Sequence, residues 1–143
     1  MLARHINVIG RAGYFFAQHS LSDTGLNGVD HGVIEYVAHH PGVSQAGLRS
    51  HFNKDKSTVA RAMVRLEEAG YVRRETNPQN KRENRIYVTH KGQLLVDRIQ
   101  AMKNQWRNIL LEGFTPEERE AFLALSARAA ENAGRYLGRQ HGE

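Results

Sequence analysis

Hydrophobic positions near both ends of the chain recur with the spacing of an α-helix. Steps of four, three, four and three residues separate Leu2, Ile6, Ile9, Gly13 and Phe16, and the same steps separate Leu95, Ile99, Met102, Trp106 and Ile109. This spacing places side chains on one face of a helix. Thr115 and Glu118 have the pattern of a capping box at a further helix start. We predict helices over residues 2–19, 29–39, 94–112 and 116–138.

Two shorter helices are predicted in the middle of the chain. Ser44 is a favourable N-cap for the first, and Val43 and Leu48 have the spacing of a hydrophobic staple around it. Asp55 is the predicted N-cap of the second helix, which Gly70 ends. The second helix carries an inward-facing apolar row at Val59, Met63 and Leu66. Two capped short helices joined by a short connection form a helix-turn-helix.

The residues after this motif change to a β-rich pattern. Residues 71–76 and 84–89 flank residues 77–80, whose sequence Asn-Pro-Gln-Asn is typical of a turn. A β-hairpin with a polar, basic tip is therefore predicted, and a helix-turn-helix followed by a hairpin is a winged helix. The predicted fold class is mainly α with a small β-hairpin wing (α+β), a winged helix-turn-helix with additional N- and C-terminal helices.

The composition excludes several classes of function. The 143 residues include no cysteine, which excludes a disulfide framework, a thiolate nucleophile and a cysteine zinc site. No phosphate-binding loop or nucleophile elbow is present, so we predict neither an enzyme nor a bound cofactor. The lack of a long apolar run or a signal-peptide core predicts a cytoplasmic protein.

The net charge of +5 is concentrated in the middle of the sequence. Residues 49–91 contain 11 basic and 5 acidic residues, whereas the other 100 residues contain 9 basic and 10 acidic ones. A local surplus of positive charge indicates a polyanionic partner that binds this part of the chain. A face that only improves solubility would more often be spread over the whole protein.

The second helix of the helix-turn-helix has a polar outer face. Opposite its apolar row are Ser57, Thr58, Arg61 and Arg65. Hydroxyl groups at a helix start can bond phosphate, and the guanidinium of Arg61 fits a guanine edge in the major groove. We therefore predict that this helix binds double-stranded DNA. The alternative is a solvated face on which the arginines pair with Glu67 or Glu68.

Several motifs follow one another in a fixed order. They are Val43-Ser44-Gln45, Leu48, Phe52, Asp55-Lys56-Ser57-Thr58-Val59, Arg61, Val64, Leu66-Glu67, Gly70-Tyr71-Val72-Arg73-Arg74 and Val88-Thr89-x-x-Gly92. The series resembles the MarR family of bacterial transcriptional regulators, and the resemblance covers nearly the whole chain. It implies a homodimeric winged helix-turn-helix repressor or activator. Such a regulator binds a pseudo-palindromic operator and often releases it on binding a small effector.

The wing departs from the pattern of this family at one position. In the family, an Asp-x-Arg motif at the wing tip places an arginine in the minor groove. This sequence has Asn80-Lys81-Arg82, so Arg82 matches, whereas Asn80 replaces the aspartate that would brace it. The full set of predicted DNA-binding residues is Ser44, Lys54, Lys56, Ser57, Thr58, Arg61, Arg65, Arg74, Lys81, Arg82 and Arg85.

The terminal helices are predicted to form a homodimer interface. A monomer with only a small winged helix to cover their apolar stripes would leave much of them exposed, and the resemblance implies an intertwined dimer. The expected organisation is one domain over residues 1–143. Its winged lobe spans about residues 29–92, and its dimerisation helices span about residues 1–20 and 93–140. The alternative is a monomeric helical bundle.

Two hypotheses concern small ligands. The candidate lining of an effector pocket, for an aromatic or anionic molecule, consists of Tyr14, Phe15, His19 and Tyr36, and a core role fits these aromatic residues equally well. A metal-responsive regulator is an alternative, because one helix face carries His31, Glu35 and His39. No further ligand motif accompanies them, so we predict no metal site. A winged helix that binds another protein is the remaining alternative.

Overall fold

The structure, a computed structural model, describes residues 1–52 and 56–141, without the side chains of Lys56, Lys81 and His141. The described α-helices and β-strands, in chain order, are α1 (Leu2–Ser20), α2 (Gly28–His39), β1 (Val43–Ser44), α3 (Gln45–Phe52), α4 (Lys56–Glu68), β2 (Val72–Asn77), β3 (Asn80–Val88), α5 (His90–Leu110) and α6 (Pro116–His141). The predicted fold class is confirmed: the chain is mostly helical, with one small sheet after the helix-turn-helix.

The three strands form an antiparallel sheet in the order β1-β3-β2. The predicted hairpin is present, but its turn is shorter than predicted, because Asn77 and Asn80 already pair across the strands. The prediction missed β1, whose two residues pair with Ile86 and Arg85 of β3. A strand of two residues is too short to give an alternating pattern.

The chain divides into two compact units, residues 1–106 and residues 107–143. The core of the first unit is built from α2, α3, α4, the sheet and the first half of α5. The predicted inward row of α4 is confirmed, because its members have no exposed surface, namely Val59, Met63 and Leu66. This row fixes which face of α4 points outward.

Helix ends follow the predicted capping residues where the structure describes them. Ser44 Oγ accepts a hydrogen bond from the Gly47 N–H at 3.0 Å, as expected of an N-cap for α3. Thr115 and Glu118 form the predicted reciprocal capping box at α6, at 2.9 and 3.1 Å. Asp55, the predicted cap of α4, lies outside the described residues.

A tight junction joins the end of α4, the start of β2 and the start of α5. Thr89 Oγ1 accepts from the Gly92 N–H at 3.0 Å and donates to the Gly70 carbonyl at 2.6 Å. A side chain at position 92 would collide with the Tyr71 carbonyl and with Val88, so only glycine fits there. This junction holds the wing against the helix-turn-helix.

The long helices α1 and α5 differ in how much apolar surface they bury. Leu95, Ile99 and Met102 of α5 are in the core of their own unit, so this part of the predicted stripe is not left for a dimer partner. No residue of α1 is buried. Phe16 packs on the Trp106 ring, with centroids 5.7 Å apart, whereas large apolar side chains remain exposed at Leu2, Ile6, Val8, Tyr14 and Phe15.

The second unit consists mainly of α6. Phe114 and Phe122 make an edge-to-face contact at its start, with centroids 5.8 Å apart. Farther along, α6 exposes Leu123, Leu125, Tyr136 and Leu137. Among the described helices, none is long and apolar enough to span a membrane.

Candidate nucleic-acid interface

The outward face of α4 carries a stripe of Ser57, Arg61 and Val64. At about 100° per residue, these positions lie opposite the buried row of the helix. Ser57 and Arg61 are exposed, and Val64 keeps 49% of its surface exposed. Thr58 is half-buried at one side of the stripe. The helix therefore presents a hydroxyl, a guanidinium and an apolar group in one line.

Arg65, predicted as a DNA contact, is held by a carboxylate inside the protein. Its Nε and Nη2 donate to Asp30 of α2 at 2.8 to 3.1 Å, and the Asp30 side chain is fully buried. These hydrogen bonds raise the pKa of Arg65 above its ordinary value. The structure thus gives Arg65 a partner on α2, which neither the DNA prediction nor the Glu67 or Glu68 alternative included.

Asp30 also forms a capping box with Asn27 at the start of α2. Its Oδ2 accepts from the Asn27 N–H, and Asn27 Oδ1 accepts from the Asp30 N–H, both at 3.1 Å. This capping box satisfies two N–H groups at the helix start. One carboxylate therefore fixes both the beginning of α2 and the position of α4 beside it.

Arg74 of β2 lies between the helix-turn-helix and the wing. Its Nη1 donates to Gln45 Oε1 of α3 at 2.8 Å, and its Nε donates to Glu67 of α4. Arg74 is therefore oriented by two elements of the motif. Ser44, the cap of α3, is beside Gln45 in the chain.

The wing tip is organised by two asparagine side chains. Asn77 Oδ1 accepts from the Gln79 N–H at 3.0 Å, and Asn80 Oδ1 accepts from the Arg82 N–H at 3.1 Å. The second bond involves the backbone of Arg82. Asn80 therefore shapes the turn around Arg82 and supplies no negative charge to its guanidinium.

The basic residues of β3 occupy an irregular part of the strand. The pairs Thr76 with Asn84 and Asn77 with Asn80 leave residues 81–83 opposite a single step of β2, which is a bulge. Arg82 is exposed within it, and Arg85 is exposed beyond it, opposite Glu75. Lys81 also belongs to the bulge. The side chains of Lys81 and Lys56 are not among those that the structure describes.

A cleft of about 530 Å³ separates the start of α3 from the wing. Its lining consists of Ser44, Gln45, Ala46, Arg49, Arg74, Asn80, Arg82, Glu83 and Asn84. Three guanidinium groups against one carboxylate give the cleft a net positive charge. The fold thus brings together three predicted residues, Ser44, Arg74 and Arg82. Lys54 lies outside the described residues.

Sequence reasoning missed Arg49 and Gln45 in this cleft, and it missed Asp30. For Arg49 the sequence did carry a signal, because it is a basic residue in the last turn of the first helix of the predicted helix-turn-helix. Asn27 and Asp30 have capping-box spacing, but nothing local links Asp30 to Arg65, which is 35 residues away.

The structure places the four candidate effector residues in different surroundings. Tyr14 lines a cavity of about 450 Å³ together with Asn27, Gly28, Val29 and Phe52. Phe15 stacks on His19 at 6.0 Å, and Phe15 is 71% exposed. Tyr36 lies between the rings of His40 and His51, each 4.0 Å away. Of the four, only Tyr14 lines that cavity.

The histidine face of α2 does not form a metal centre in the part of the chain that is described. His31 is buried, and its Nε2 has no hydrogen-bond partner among the described residues. Glu35 is bound to Lys103 Nζ at 2.7 Å, and His39 Nδ1 lies 2.7 Å from the Glu35 carbonyl. Burial lowers the pKa of His31, so this imidazole favours its neutral form.

Comparisons with known proteins agree with this architecture. The MarR family model matches residues 24–83. The transcriptional regulator HosA of Escherichia coli O111:H- is 30% identical over 108 residues, which cover 76% of this chain and 78% of that protein. The uncharacterized HTH-type transcriptional regulator YybA of Bacillus subtilis (strain 168) is 28% identical over 134 residues, or 94% of this chain and 89% of that protein.

Solved structures extend the match to both terminal helices. A crystal structure of MarR is 31% identical, with a TM-score of 0.79 over 94% of this chain and 98% of that one. A putative MarR family regulator from Listeria monocytogenes, complexed with a 26mer DNA, is 25% identical, with a TM-score of 0.79 over 99% and 95% of the two chains. The resemblance inferred from the sequence is thereby confirmed, and the chain belongs to the MarR family of DNA-binding transcriptional regulators.

Proposed function

We propose that the protein is a homodimeric repressor that binds a pseudo-palindromic DNA operator and is modulated by a small effector. The observation that carries the proposal is the exposed stripe of Ser57, Arg61 and Val64 on α4, together with a cleft between α3 and the wing that three arginines line. A protein-binding winged helix would not need its basic surplus on these two surfaces. The compartment of action is the one that holds the chromosome, the cytoplasm.

In this proposal, α4 enters the major groove. Arg61 forms a bidentate contact with a guanine edge, which supplies sequence specificity. Ser57, Thr58, Lys54 and Lys56 contact phosphates near the helix start, where backbone N–H groups also favour an anion. These phosphate contacts set the position of the helix in the groove and carry no sequence information.

The wing and the cleft bind the backbone on either side of this groove. Arg82, with Lys81 and Arg85, is attracted to the negative potential of a narrow minor groove. Arg49 in the cleft neutralises phosphate, and Arg74, which Gln45 and Glu67 hold in place, donates a hydrogen bond to it. For Arg65 the proposal is a positioning role, which its ion pair with Asp30 supports by joining α4 to α2.

Exposed apolar surface on the terminal helices supports the dimer. Leu2, Ile6 and Val8 of α1 are 59–73% exposed in the single chain, and α6 exposes Leu125 and Tyr136 in its own unit. Apolar surface of this kind on long helices is characteristic of protein interfaces. A two-fold dimer would present two copies of α4 to successive major grooves, about one helical turn apart.

The cavity beside Tyr14 is the proposed effector site. It joins α1 to the start of α2 and to Phe52 at the end of α3, so a ligand there contacts both the N-terminal helix and the helix-turn-helix. A planar aromatic acid is the first ligand to test. A ligand regulates only if it binds the DNA-free geometry more tightly than the DNA-bound one. Aromatic acids that change neither thermal stability nor operator affinity would remove the effector from the proposal.

The test of DNA recognition is selection of genomic fragments by the purified protein. We expect repeated recovery of a few fragments that share a pseudo-palindrome, including one near the protein's own gene. For about 6–10 phosphate contacts, affinity should fall roughly 10³–10⁵-fold between 50 and 200 mM salt. Recovery of random fragments with equal affinity would contradict sequence-specific regulation, and the absence of any DNA binding would favour a protein-binding winged helix.

A further inference from the structure

We infer that Val64 recognises the C5 methyl group of a thymine in the operator, beside the base that Arg61 contacts. The inference rests on the proposed function, since it assigns a base contact within the same interface. It makes Val64 a specificity-determining residue, although valine cannot form a hydrogen bond with any base.

Val64 is unusual among the apolar side chains of α4. Val59, Ala62, Met63 and Leu66 are completely buried in the core, whereas Val64 is 49% exposed. Its position on the helix gives the reason. Three residues after Arg61 and seven after Ser57, it lies on the side of the helix that is turned away from the core.

The residues next to Val64 do not cover its exposed surface. Arg65, the next residue, is drawn toward α2 by Asp30 and does not fold over the stripe. Arg61, one turn earlier, is the exposed residue already assigned to the major groove. A partner that binds Arg61 therefore covers Val64 as well.

The chemistry of the major groove restricts what Val64 can recognise. The base edges there offer hydrogen-bond donors and acceptors, and the one methyl group among the four standard bases belongs to thymine. Burying two apolar groups against each other is favourable, whereas burying a donor or acceptor edge against valine leaves that edge unpaired. Val64 therefore favours thymine and disfavours the other edges.

The helix geometry also sets where the thymine lies. A rise of about 1.5 Å per residue separates Arg61 and Val64 by about 4.5 Å along the helix axis. Successive base pairs are about 3.4 Å apart along one strand. The thymine is thus expected one or two base pairs from the guanine contacted by Arg61, once in each half-site.

Replacing thymine by deoxyuridine in the selected operator removes this methyl group and nothing else. Each thymine within two base pairs of the Arg61 guanine is replaced in turn, and binding is measured with the wild-type protein and with Val64→Ala. We expect one position per half-site at which the replacement weakens wild-type binding about fourfold, the effect of one buried methyl-sized group. At that position Val64→Ala should bind both operators equally.

Leu94→Ala is the matched control, because Leu94 is an apolar residue of α5 that is 54% exposed and lies outside the stripe. It should keep the wild-type difference between thymine and deoxyuridine. The inference is overturned if no replacement changes wild-type binding, or if Val64→Ala keeps the same difference. Either result with operator binding intact leaves the proposed function standing, whereas loss of all sequence preference in the wild type overturns both.

Discussion

Arg65 of α4 forms a bidentate ion pair with Asp30 of α2, and the Asp30 carboxylate is completely buried. The carboxylate also closes the capping box at Asn27. A buried charge is stable only when it is paired and hydrogen-bonded. The pair therefore couples the orientation of α4, the proposed DNA-binding helix, to the start of α2, which also lines the proposed effector cavity.

Arg65→Ala should destabilise the protein far more than a surface substitution would. It leaves Asp30 buried and unpaired, and we expect a loss of about 3 kcal/mol in the free energy of unfolding, the low end for a broken buried pair. The low end applies because Arg65 keeps 37% of its side chain exposed. Denaturant unfolding measures this, with Arg61→Ala as the control at less than about 0.5 kcal/mol. Equal stability of the two variants would contradict the positioning role.

Much of the fold follows from local sequence signals. Helix spacing, the Ser44 cap and the Thr115 capping box each depend on residues within one or two turns, and the structure has all of them. The partner of Arg65 could not be predicted, because it depends on how α2 packs on α4. The hairpin bulge at residues 81–83 was missed for a similar reason, since strand register is set by pairing between strands.

The candidate site, like the fold, could be predicted from local sequence only in part. The outward stripe of α4 follows from helix periodicity, and the structure exposes Ser57 and Arg61 as that periodicity requires. The cleft, in contrast, joins Arg49 of α3 to Arg82 of the wing. The lining of the cleft depends on the tertiary fold. From the sequence alone, only the surplus of basic residues in this part of the chain could be predicted.

Arg82→Ala should reduce operator affinity and lower the salt slope by about one, the loss of one phosphate-neutralising charge. The control is Arg128→Ala on α6, which removes an equal charge outside the proposed DNA interface. Fluorescence anisotropy at several salt concentrations gives both slopes. An unchanged slope for Arg82→Ala would show that the wing does not touch DNA.

Asn80→Asp tests the departure of the wing from the family motif. An aspartate oxygen can accept the same Arg82 N–H that Asn80 Oδ1 accepts, so the turn is kept. The added charge should orient the Arg82 guanidinium and tighten operator binding by offsetting part of its ordering entropy, which is up to roughly 2 kcal/mol. Weaker binding at constant salt would show instead that Asn80 itself contacts DNA.

Burial of His31 predicts how stability depends on pH. Desolvation lowers its pKa below the ordinary 6.5, against nearby Asp30 and Glu35, which raise it, while Lys103 also lowers it. Below pH 6.5 the unfolded state therefore binds more protons than the folded state, and stability falls as the pH falls. His31→Leu should reduce this slope by up to about 1.4 kcal/mol per pH unit.

The measurement for His31 is denaturant unfolding from pH 8 to pH 5. His39→Gln serves as the control, because His39 is exposed at the end of the same helix. It should keep the wild-type slope. A His31→Leu variant with the wild-type slope would show that other groups cause the acid sensitivity.

Ile6→Glu should separate the dimer without unfolding the single chain. Ile6 is 59% exposed within its own chain, so a charge there has no core to disrupt, but an interface would bury it unpaired. We expect the dimer dissociation constant to rise by at least about a hundredfold in sedimentation experiments. Arg11→Glu, at an exposed position elsewhere on α1, should remain dimeric. A wild-type protein that is monomeric at micromolar concentration would contradict the dimer.

The most direct test of the account is whether Arg61 contacts a guanine edge in the major groove. Binding is measured to operators in which 7-deazaguanine, which lacks the N7 acceptor, replaces each guanine in turn. The account predicts one guanine per half-site whose replacement weakens wild-type binding, and Arg61→Ala should lose about 1–3 kcal/mol and no longer respond to that replacement. Equal sensitivity of Arg61→Ala and the wild type at every guanine would contradict the proposed interface.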